Sequence, residues 1–177
     1  MARMALRDIL ILPDKRLRLV SEPVKTIDRE VRELIDDMFT TMYDAPGLGL
    51  AAPQVGVQKR FFVYDIGEGP RTLINPVIKE SSGEWVYDEG CLSVPGLSFE
   101  IVRPKEIHLV GVDLDGNDVS FEADELLARL FQHELDHLDG ILLLEHLDES
   151  QRKAALKELR RRTVQEIDAL PEHRPGL

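Results

Sequence analysis

Apolar residues recur at helical spacing in two stretches of the chain. One stripe spans about residues 28–43, and Thr26 or Asp28 can cap its start. The second runs from about Ala123 to Gly140, where glycine favours a left-handed helix stop. The stripes consist of Val31, Leu34, Ile35, Met38, Phe39 and Met42, and of Leu126, Leu127, Leu130, Phe131, Leu135 and Leu138. We therefore predict two amphipathic helices.

Short runs of β-branched and aromatic residues between turn formers predict strands. A hairpin signal at Asp115, Gly116 and Asn117 indicates that neighbouring strands run antiparallel. The apolar run at residues 141–144 is expected to add an edge strand, and Asp148 with Gln151 can open a last helix that reaches about residue 167. The predicted strands cover residues 60–64, 73–78, 84–87, 101–103, 106–114 and 118–122. The pattern favours an α+β fold, with mainly antiparallel sheets packed around a central helix, an N-terminal helix and a C-terminal helix.

Two glycine-rich segments interrupt this pattern. Residues 47–56 read GLGLAAPQVG, and residues 89–96 read EGCLSVPG. The first is too rich in glycine and proline for a helix and too apolar for an exposed loop. Its glycine spacing does not match dinucleotide-binding or phosphate-binding loops. We expect it to form a buried turn that another segment can approach closely. The second is a further apolar piece flanked by glycines.

Length and composition limit the class of protein. A chain of 177 residues suits one domain, which we place at residues 1–170, with residues 171–177 as a flexible tail. The net charge of −11 argues against general affinity for DNA or anionic membranes. Cys91 is the single cysteine, so no internal disulfide can form and a reducing compartment is expected. Without a signal-like or membrane-spanning apolar run, we expect a soluble cytoplasmic monomer.

The second helix carries the sequence HELDH. His133 and His137 are four residues apart, so on a helix both imidazoles face the same side and can bind one metal ion. Glu134 beside them could act on a bound water as a general base. The competing interpretation is two histidines that are only hydrogen-bonded in a core. For a third ligand, a residue upstream in the chain is favoured, and the downstream glutamates Glu145, Glu149 and Glu158 stay open.

Three segments together resemble the signature motifs of the peptide deformylase family, namely GLGLAAPQ at 47–54, EGCLS at 89–93 and QHELDH at 132–137. The resemblance implies a metal-dependent hydrolase that removes the formyl group from N-formyl-methionyl nascent peptides and releases formate. It implies Cys91, His133 and His137 as metal ligands and Glu134 as the catalytic carboxylate. It favours Fe(II), although a thiolate with two imidazoles also admits Ni, Co or Zn.

The resemblance also assigns the donors that stabilise an oxyanion. The Gln54 side-chain amide and the Leu92 backbone N–H would stabilise the oxyanion. An extended peptide could lie along the glycine segments, and a methionine side chain needs an apolar pocket, although plain core packing is the competing interpretation for the leucines. The predicted substrate-binding residues are Gly47, Leu48, Gly49, Gly90, Leu126 and Leu130. Glu89 is expected to form a buried salt bridge.

One departure from the family pattern concerns the peptide contact. Many bacterial members have an arginine soon after Pro95, whereas this chain has Gly96, Leu97 and Ser98. A contact by that arginine is therefore in doubt unless Arg103 substitutes for it.

Basic residues concentrate in the last predicted helix. Residues 152–162 contain six basic side chains and one acidic side chain, the reverse of the chain as a whole. Both a solvated helix face and a docking surface for ribosomal RNA fit this pattern.

Two functional alternatives also stay open at this point: a zinc endopeptidase with a downstream third ligand, and a binding module with a structural metal.

Overall fold

The computed structural model describes residues 5–169, with side chains up to residue 165. The first helix, α1, spans Arg29–Asp44, and the side chain of Asp28 caps it by accepting a hydrogen bond from the Val31 N–H at 2.9 Å. The predicted apolar stripe faces inward, since Val31, Ile35, Met38 and Met42 are all buried. The predicted first helix is therefore confirmed. The predicted tail at residues 171–177 lies outside the described residues.

Five strands form one antiparallel sheet. They are β1 (Gly49–Ala51), β2 (Phe61–Tyr64), β3 (Arg71–Ser82), and, later in the chain, β6 (Glu106–Val112) and β7 (Asp118–Asp124). Their order is β1-β2-β3-β6-β7, and each neighbouring pair is antiparallel. The hairpin between the last two strands turns at Gly116, which has a φ of 80°.

A separate hairpin consists of β4 (Trp85–Cys91) and β5 (Val94–Arg103). Its outward residues include Val86 and Val102, which face each other in the register and are both exposed. Its inward residues include Glu89 and Ile101, both buried. The alternation matches the two-residue period of a strand and turns one face of the hairpin toward the protein interior.

The second helix, α2, spans Glu125–Leu138. Phe131 at its centre is fully buried and contacts three aromatic rings, Phe62 and Tyr64 of β2 and Phe121 of β7, at centroid distances of 5.9, 5.2 and 5.5 Å. After the helix, Gly140 adopts a φ of 71°, and a Cβ there would overlap the carbonyl of Arg18. The predicted helix and its glycine stop are both confirmed, and the fold is α+β.

The chain divides into two compact units, residues 1–142 and 143–177. In the second unit, a 3-10 turn at Leu143–His146 precedes α3, Glu149–Ala169. Asp148 caps this helix as predicted, accepting from the Gln151 N–H at 2.8 Å while the Gln151 side chain accepts from the Asp148 N–H at 3.3 Å. That residues 1–170 form a single domain stays a prediction. In the part of the chain that the structure describes, no helix combines the length and apolarity needed to cross a membrane.

The predicted edge strand at residues 141–144 is wrong. Leu143 and Leu144 instead lie in the 3-10 turn, which the Leu147 N–H closes on the Leu144 carbonyl at 3.2 Å. Both leucines are buried without strand pairing. A short apolar run is compatible with a buried turn as well as with a strand, and its length alone does not decide between them.

Candidate metal centre

Two elements bring three potential metal ligands together. Cys91 ends β4, and His133 and His137 lie one turn apart on α2. Their ligand atoms all lie within 4.8 Å of one another, and the Cys91 Sγ is 3.3 Å from the His137 Nε2. Among the described residues, these three side chains have a geometry that could hold one metal ion. The helix supplies the spacing of the imidazoles, and the hairpin supplies the sulfur.

The chemistry of these donors fits a divalent transition metal. His133 Nδ1 hydrogen-bonds the Glu89 carboxylate, so Nε2 is the ring nitrogen left for a metal ion. Such carboxylate–histidine pairs fix the tautomer and orientation of a metal-binding imidazole. Burial raises the pKa of the Cys91 thiol, but the neighbouring His137 and His133 outweigh that effect and hold it well below its ordinary value. The sulfur therefore favours the thiolate form that binds metals.

Glu89 is the centre of a buried ionic network. Its two oxygens accept hydrogen bonds from Arg103 at 2.8 and 3.0 Å, and Oε2 also accepts one from Arg129 at 3.1 Å. Burial opposes ionisation of Glu89, yet the hydrogen bonds from His133 and Arg103 prevail and hold its pKa well below the ordinary value. The expected buried salt bridge is thus present, and it joins the hairpin to α2.

Glu134 lies in the same cavity but has fewer hydrogen-bond partners than Glu89. It is 4% exposed, and its Oε2 has no hydrogen-bond partner among the described residues. Its other oxygen lies so close to Gly49 that a Cβ on that glycine would be 2.7 Å away. Burial raises the pKa of the Glu134 carboxyl, although His133 and His137 act against it. A carboxylate with a raised pKa is a stronger base than an ordinary exposed carboxylate and is therefore better suited to take up a proton.

Gln54 directs its amide group toward the sulfur ligand. Its Oε1 accepts a hydrogen bond from the Ala51 N–H at 2.9 Å, which fixes the amide so that Nε2 faces Ser93 Oγ at 3.1 Å and Cys91 Sγ at 3.9 Å. Leu92 directly follows Cys91 and lines the same cavity. The two groups predicted to stabilise an oxyanion therefore flank the metal-binding cluster.

A cavity of about 720 Å³ opens beside these groups. Leu48 and Leu126 are half-exposed in it, whereas Leu130 is only 7% exposed and also belongs to the core around Phe131. Leu130 therefore both packs in the core and lines the cavity. All six predicted substrate-binding residues line this cavity, namely Gly47, Leu48, Gly49, Gly90, Leu126 and Leu130. Their role in binding a substrate stays a prediction.

Several residues of the cavity were not predicted from the sequence. Ile9 and Ile11 reach it from the N-terminal segment, and Arg129 reaches it from α2, one turn before His133. The helical spacing of Arg129 could have indicated its position, whereas nothing in the sequence places the N-terminal isoleucines. Arg103 does not line the cavity and is engaged with Glu89 and Asp136, so it does not replace the missing peptide-contacting arginine.

Comparisons with known proteins give a consistent result. The family model described as polypeptide deformylase matches residues 6–153. A peptide deformylase of Hydrogenovibrio crunogenus is 46% identical over 92% of this chain and 98% of its own, and one of Rhodopseudomonas palustris strain BisB18 is 48% identical over 87% and 93%.

Solved structures agree with these relatives. The crystal structure of a peptide deformylase from Legionella pneumophila matches with a TM-score of 0.88 and 41% identity, over 94% of this chain and 99% of that chain. The peptide deformylase from Ehrlichia chaffeensis, solved in complex with actinonin, matches with a TM-score of 0.87 and 43% identity, over 90% and 98%.

Proposed function

The chain belongs to the polypeptide deformylase family, and we propose that the cavity beside Cys91, His133 and His137 is where it carries out the family's reaction. The enzyme is a metal-dependent hydrolase that removes the N-formyl group from the N-terminal formylmethionine of newly made polypeptides and releases formate. The observation that carries the assignment to this cavity is the convergence of one sulfur and two imidazoles within 4.8 Å, with Glu134 beside them.

Cys91, His133 and His137 would hold one divalent ion, which when bound would lower the pKa of a water molecule and so supply the nucleophile. Glu134 accepts a proton from the attacking water and delivers it to the leaving amine as the formyl C–N bond breaks. Its burial and its unpartnered Oε2 support this role, because that oxygen has no competing donor among the described residues. Fe(II) is the proposed ion in the cell, with Ni, Co and Zn compatible with the same donors.

Gln54 and Leu92 stabilise the tetrahedral oxyanion. The Gln54 amide is held by the Ala51 N–H through its oxygen, so its Nε2 is already oriented toward the reacting centre. A donor that does not reorient during the reaction stabilises developing charge most effectively. The Leu92 N–H supplies the second donor from the residue after the thiolate. In the structure, the side-chain N–H of Gln54 donates a hydrogen bond to Ser93 Oγ. A substrate oxygen would have to share this donor with Ser93 or displace Ser93 from it.

The peptide lies extended along Gly47, Gly49 and Gly90, which line the cavity. The half-exposed Leu48 and Leu126, with Leu130 behind them, form the apolar surface for the methionine side chain. Burying that side chain contributes roughly 1.5–3 kcal/mol, enough to favour methionine over a small or charged first residue.

Formate release from formyl-Met-Ala-Ser under oxygen-free conditions tests this function. We expect turnover with Fe(II), Ni or Co bound, and loss of both metal and turnover in Cys91→Ala. Absence of turnover with all three metals would contradict the assignment. Retention of metal by Cys91→Ala would instead favour a downstream third ligand, as in a zinc endopeptidase, which the family match does not favour.

We also propose that the enzyme is a cytoplasmic monomer. Its helix α3 docks on the ribosome, so that the enzyme meets its nascent substrate there. Arg161 and Arg162 hydrogen-bond Glu158, and these two arginines hold the pKa of that carboxyl at about 2. Exposed ion pairs of this kind are weak, so phosphate groups can compete for the arginines.

Reversing the charge of Arg160, Arg161 and Arg162 tests the docking proposal. It should abolish co-sedimentation with ribosomes and leave turnover of the free peptide unchanged. Reversing Arg29, an exposed arginine of α1, is the control that changes the charge elsewhere. Undiminished co-sedimentation of the triple variant would contradict the docking proposal and leave the hydrolase assignment intact.

A further inference from the structure

Arg129 is a buried arginine between the hairpin and α2 that the reaction itself does not use. It is 2% exposed and stands one helical turn before His133. Its guanidinium donates hydrogen bonds to the Ile101 carbonyl at 3.0 Å, to the Trp85 carbonyl, and to Glu89 Oε2 at 3.1 Å. One side chain of the helix therefore holds both strands of the hairpin, β4 and β5, through their backbones.

Aromatic rings complete the environment of this side chain. The Arg129 Cζ lies 5.6 Å from the Trp85 ring centroid and 5.9 Å from that of Tyr87, and the two rings are 5.0 Å apart. A planar guanidinium can stack on such rings and donate in fixed directions at the same time, which a lysine ammonium cannot do. The orientation of the Arg129 guanidinium is therefore fixed by three acceptors and two rings.

A second arginine also links the hairpin to α2, but this one belongs to the hairpin. Arg103 of β5 donates to Asp136 of α2 at 2.8 Å and to both oxygens of Glu89. Glu89 Oε2 is thus shared by Arg103 and Arg129, and Oε1 is shared by Arg103 and His133. The carboxylate that orients the His133 imidazole is itself oriented by two arginines, one from each element.

We propose that Arg129 is a positioning residue for the metal centre. By fixing Glu89 and the backbone of the hairpin against α2, it keeps the sulfur ligand on β4 in register with the two imidazoles on α2. The hairpin and the five-stranded sheet are separate sheets, so strand hydrogen bonds do not set this register. The inference rests on the proposed metal site and concerns how tightly and in which geometry that site holds its ion.

Cobalt binding tests the inference with readouts other than activity. In the cobalt-loaded full-length chain, Arg129→Met should accelerate loss of cobalt to a chelator about 10-fold, the lower end of the cost of removing an outer-sphere partner of a ligand. It should also shift the visible cobalt absorption bands, which depend on the angles between ligands. Arg129→Lys keeps the charge but cannot reach all three acceptors, so we expect a smaller change in the same direction. Should Arg129→Met fail to fold, Arg129→Lys decides the question.

Arg60→Met is the matched control. Arg60 also binds α2 through a backbone carbonyl, that of Leu138 at 3.2 Å, and pairs with Asp139, but it has no contact with Glu89. We expect lower thermal stability with the cobalt spectrum and the rate of cobalt loss unchanged. Equal acceleration in the Arg60 and Arg129 variants, or wild-type behaviour of folded Arg129 variants, would overturn the inference. Failure of the wild-type chain to take up cobalt would instead overturn the proposed function.

Discussion

Burial of Glu134 lowers the stability of the fold. A buried carboxylate oxygen without a hydrogen-bond partner lowers the free energy of unfolding, by roughly 1–3 kcal/mol for a polar group and more when it is charged. The Oε2 of Glu134 is in this situation among the described residues, whereas Glu89, the other buried acid of the site, is paired with Arg103 and Arg129. A group that costs stability and lies beside the metal-binding cluster is best explained by its use in the reaction.

Glu134→Gln should separate this role from metal binding. The amide is isosteric but cannot take up a proton, so we expect formate release to fall by about 10²- to 10⁴-fold. Metal content should stay unchanged because Glu134 is not among the three proposed ligands. Formate release and metal content per chain are the two measurements. A loss of activity smaller than about 10-fold would contradict the assignment of Glu134 as the general base.

The same substitution should also change how stability depends on pH. Burial raises the pKa of Glu134 in the folded state above the unfolded value of about 4.3. The native state therefore holds this proton more tightly, and its contribution is present below the unfolded pKa and lost as the pH rises through the folded value. Glu134→Gln should thus stabilise the metal-free protein near neutral pH and not at low pH, as urea unfolding at both pH values can measure.

Gly49 gives a second prediction at the scale of single residues. An added Cβ would be 2.7 Å from Glu134 Oε1 and 3.1 Å from its Cδ. Gly49→Ala should therefore displace the carboxylate and reduce formate release by about 10-fold or more, since small displacements of a reacting group are costly. Metal content serves as the control and should not change. A fully active Gly49→Ala enzyme would show that the position of Glu134 is not critical.

At the scale of elements, α2 must hold two candidate ligands on one face while its other face packs on the sheet. Phe131 provides this packing through its contacts with Phe62, Tyr64 and Phe121. Phe131→Ala should lower the free energy of unfolding by about 3–5 kcal/mol, because it removes a fully buried ring and leaves a cavity. Denaturant unfolding at constant metal concentration measures this loss.

Leu126→Ala is the matched control for that prediction. Leu126 lies on the same helix but is 37% exposed and lines the cavity beside the candidate metal centre. We expect it to cost much less stability and to raise KM for a formyl-methionyl peptide. Equal destabilisation by the two substitutions would contradict the view that the Phe131 face, and not the cavity face, anchors the helix.

The two long helices were predictable because each combines a regular apolar period with a stop or cap signal. Asp28 and Gly140 mark helix boundaries through chemistry that acts within a few residues. The antiparallel hairpin at Gly116 was predictable for the same reason. The run at residues 141–144 was not, because a strand there would need a partner strand that local sequence does not specify.

The metal centre was predictable only where sequence motifs report it. The spacing of His133 and His137 is a local property of a helix, whereas Cys91 joins them through tertiary packing and was assigned by resemblance. The contacts of Arg129 depend on how the hairpin lies against α2, for which composition and periodicity carry no signal. Contacts between separate elements are therefore the part of the site that the sequence alone does not specify.

At the scale of the whole molecule, the candidate site joins segments that are far apart in sequence, residues 47–54, 89–93 and 132–137. A metal ion bound to both the hairpin and α2 adds a link between these elements that the unfolded chain cannot form at comparable strength. Metal binding should therefore stabilise the fold as a whole, not only the site. The size of this effect is set by the ratio of free metal concentration to Kd.

Removal of the metal by a chelator should lower Tm in a concentration-dependent way. At free metal of about 100 times Kd, the expected stabilisation is about 2.7 kcal/mol, which corresponds to roughly 5–10 °C in a chain of this size. Thermal unfolding across a metal titration measures this stabilisation. In Cys91→Ala the Tm should respond much less to metal, and a response equal to wild type would remove Cys91 from the ligand set.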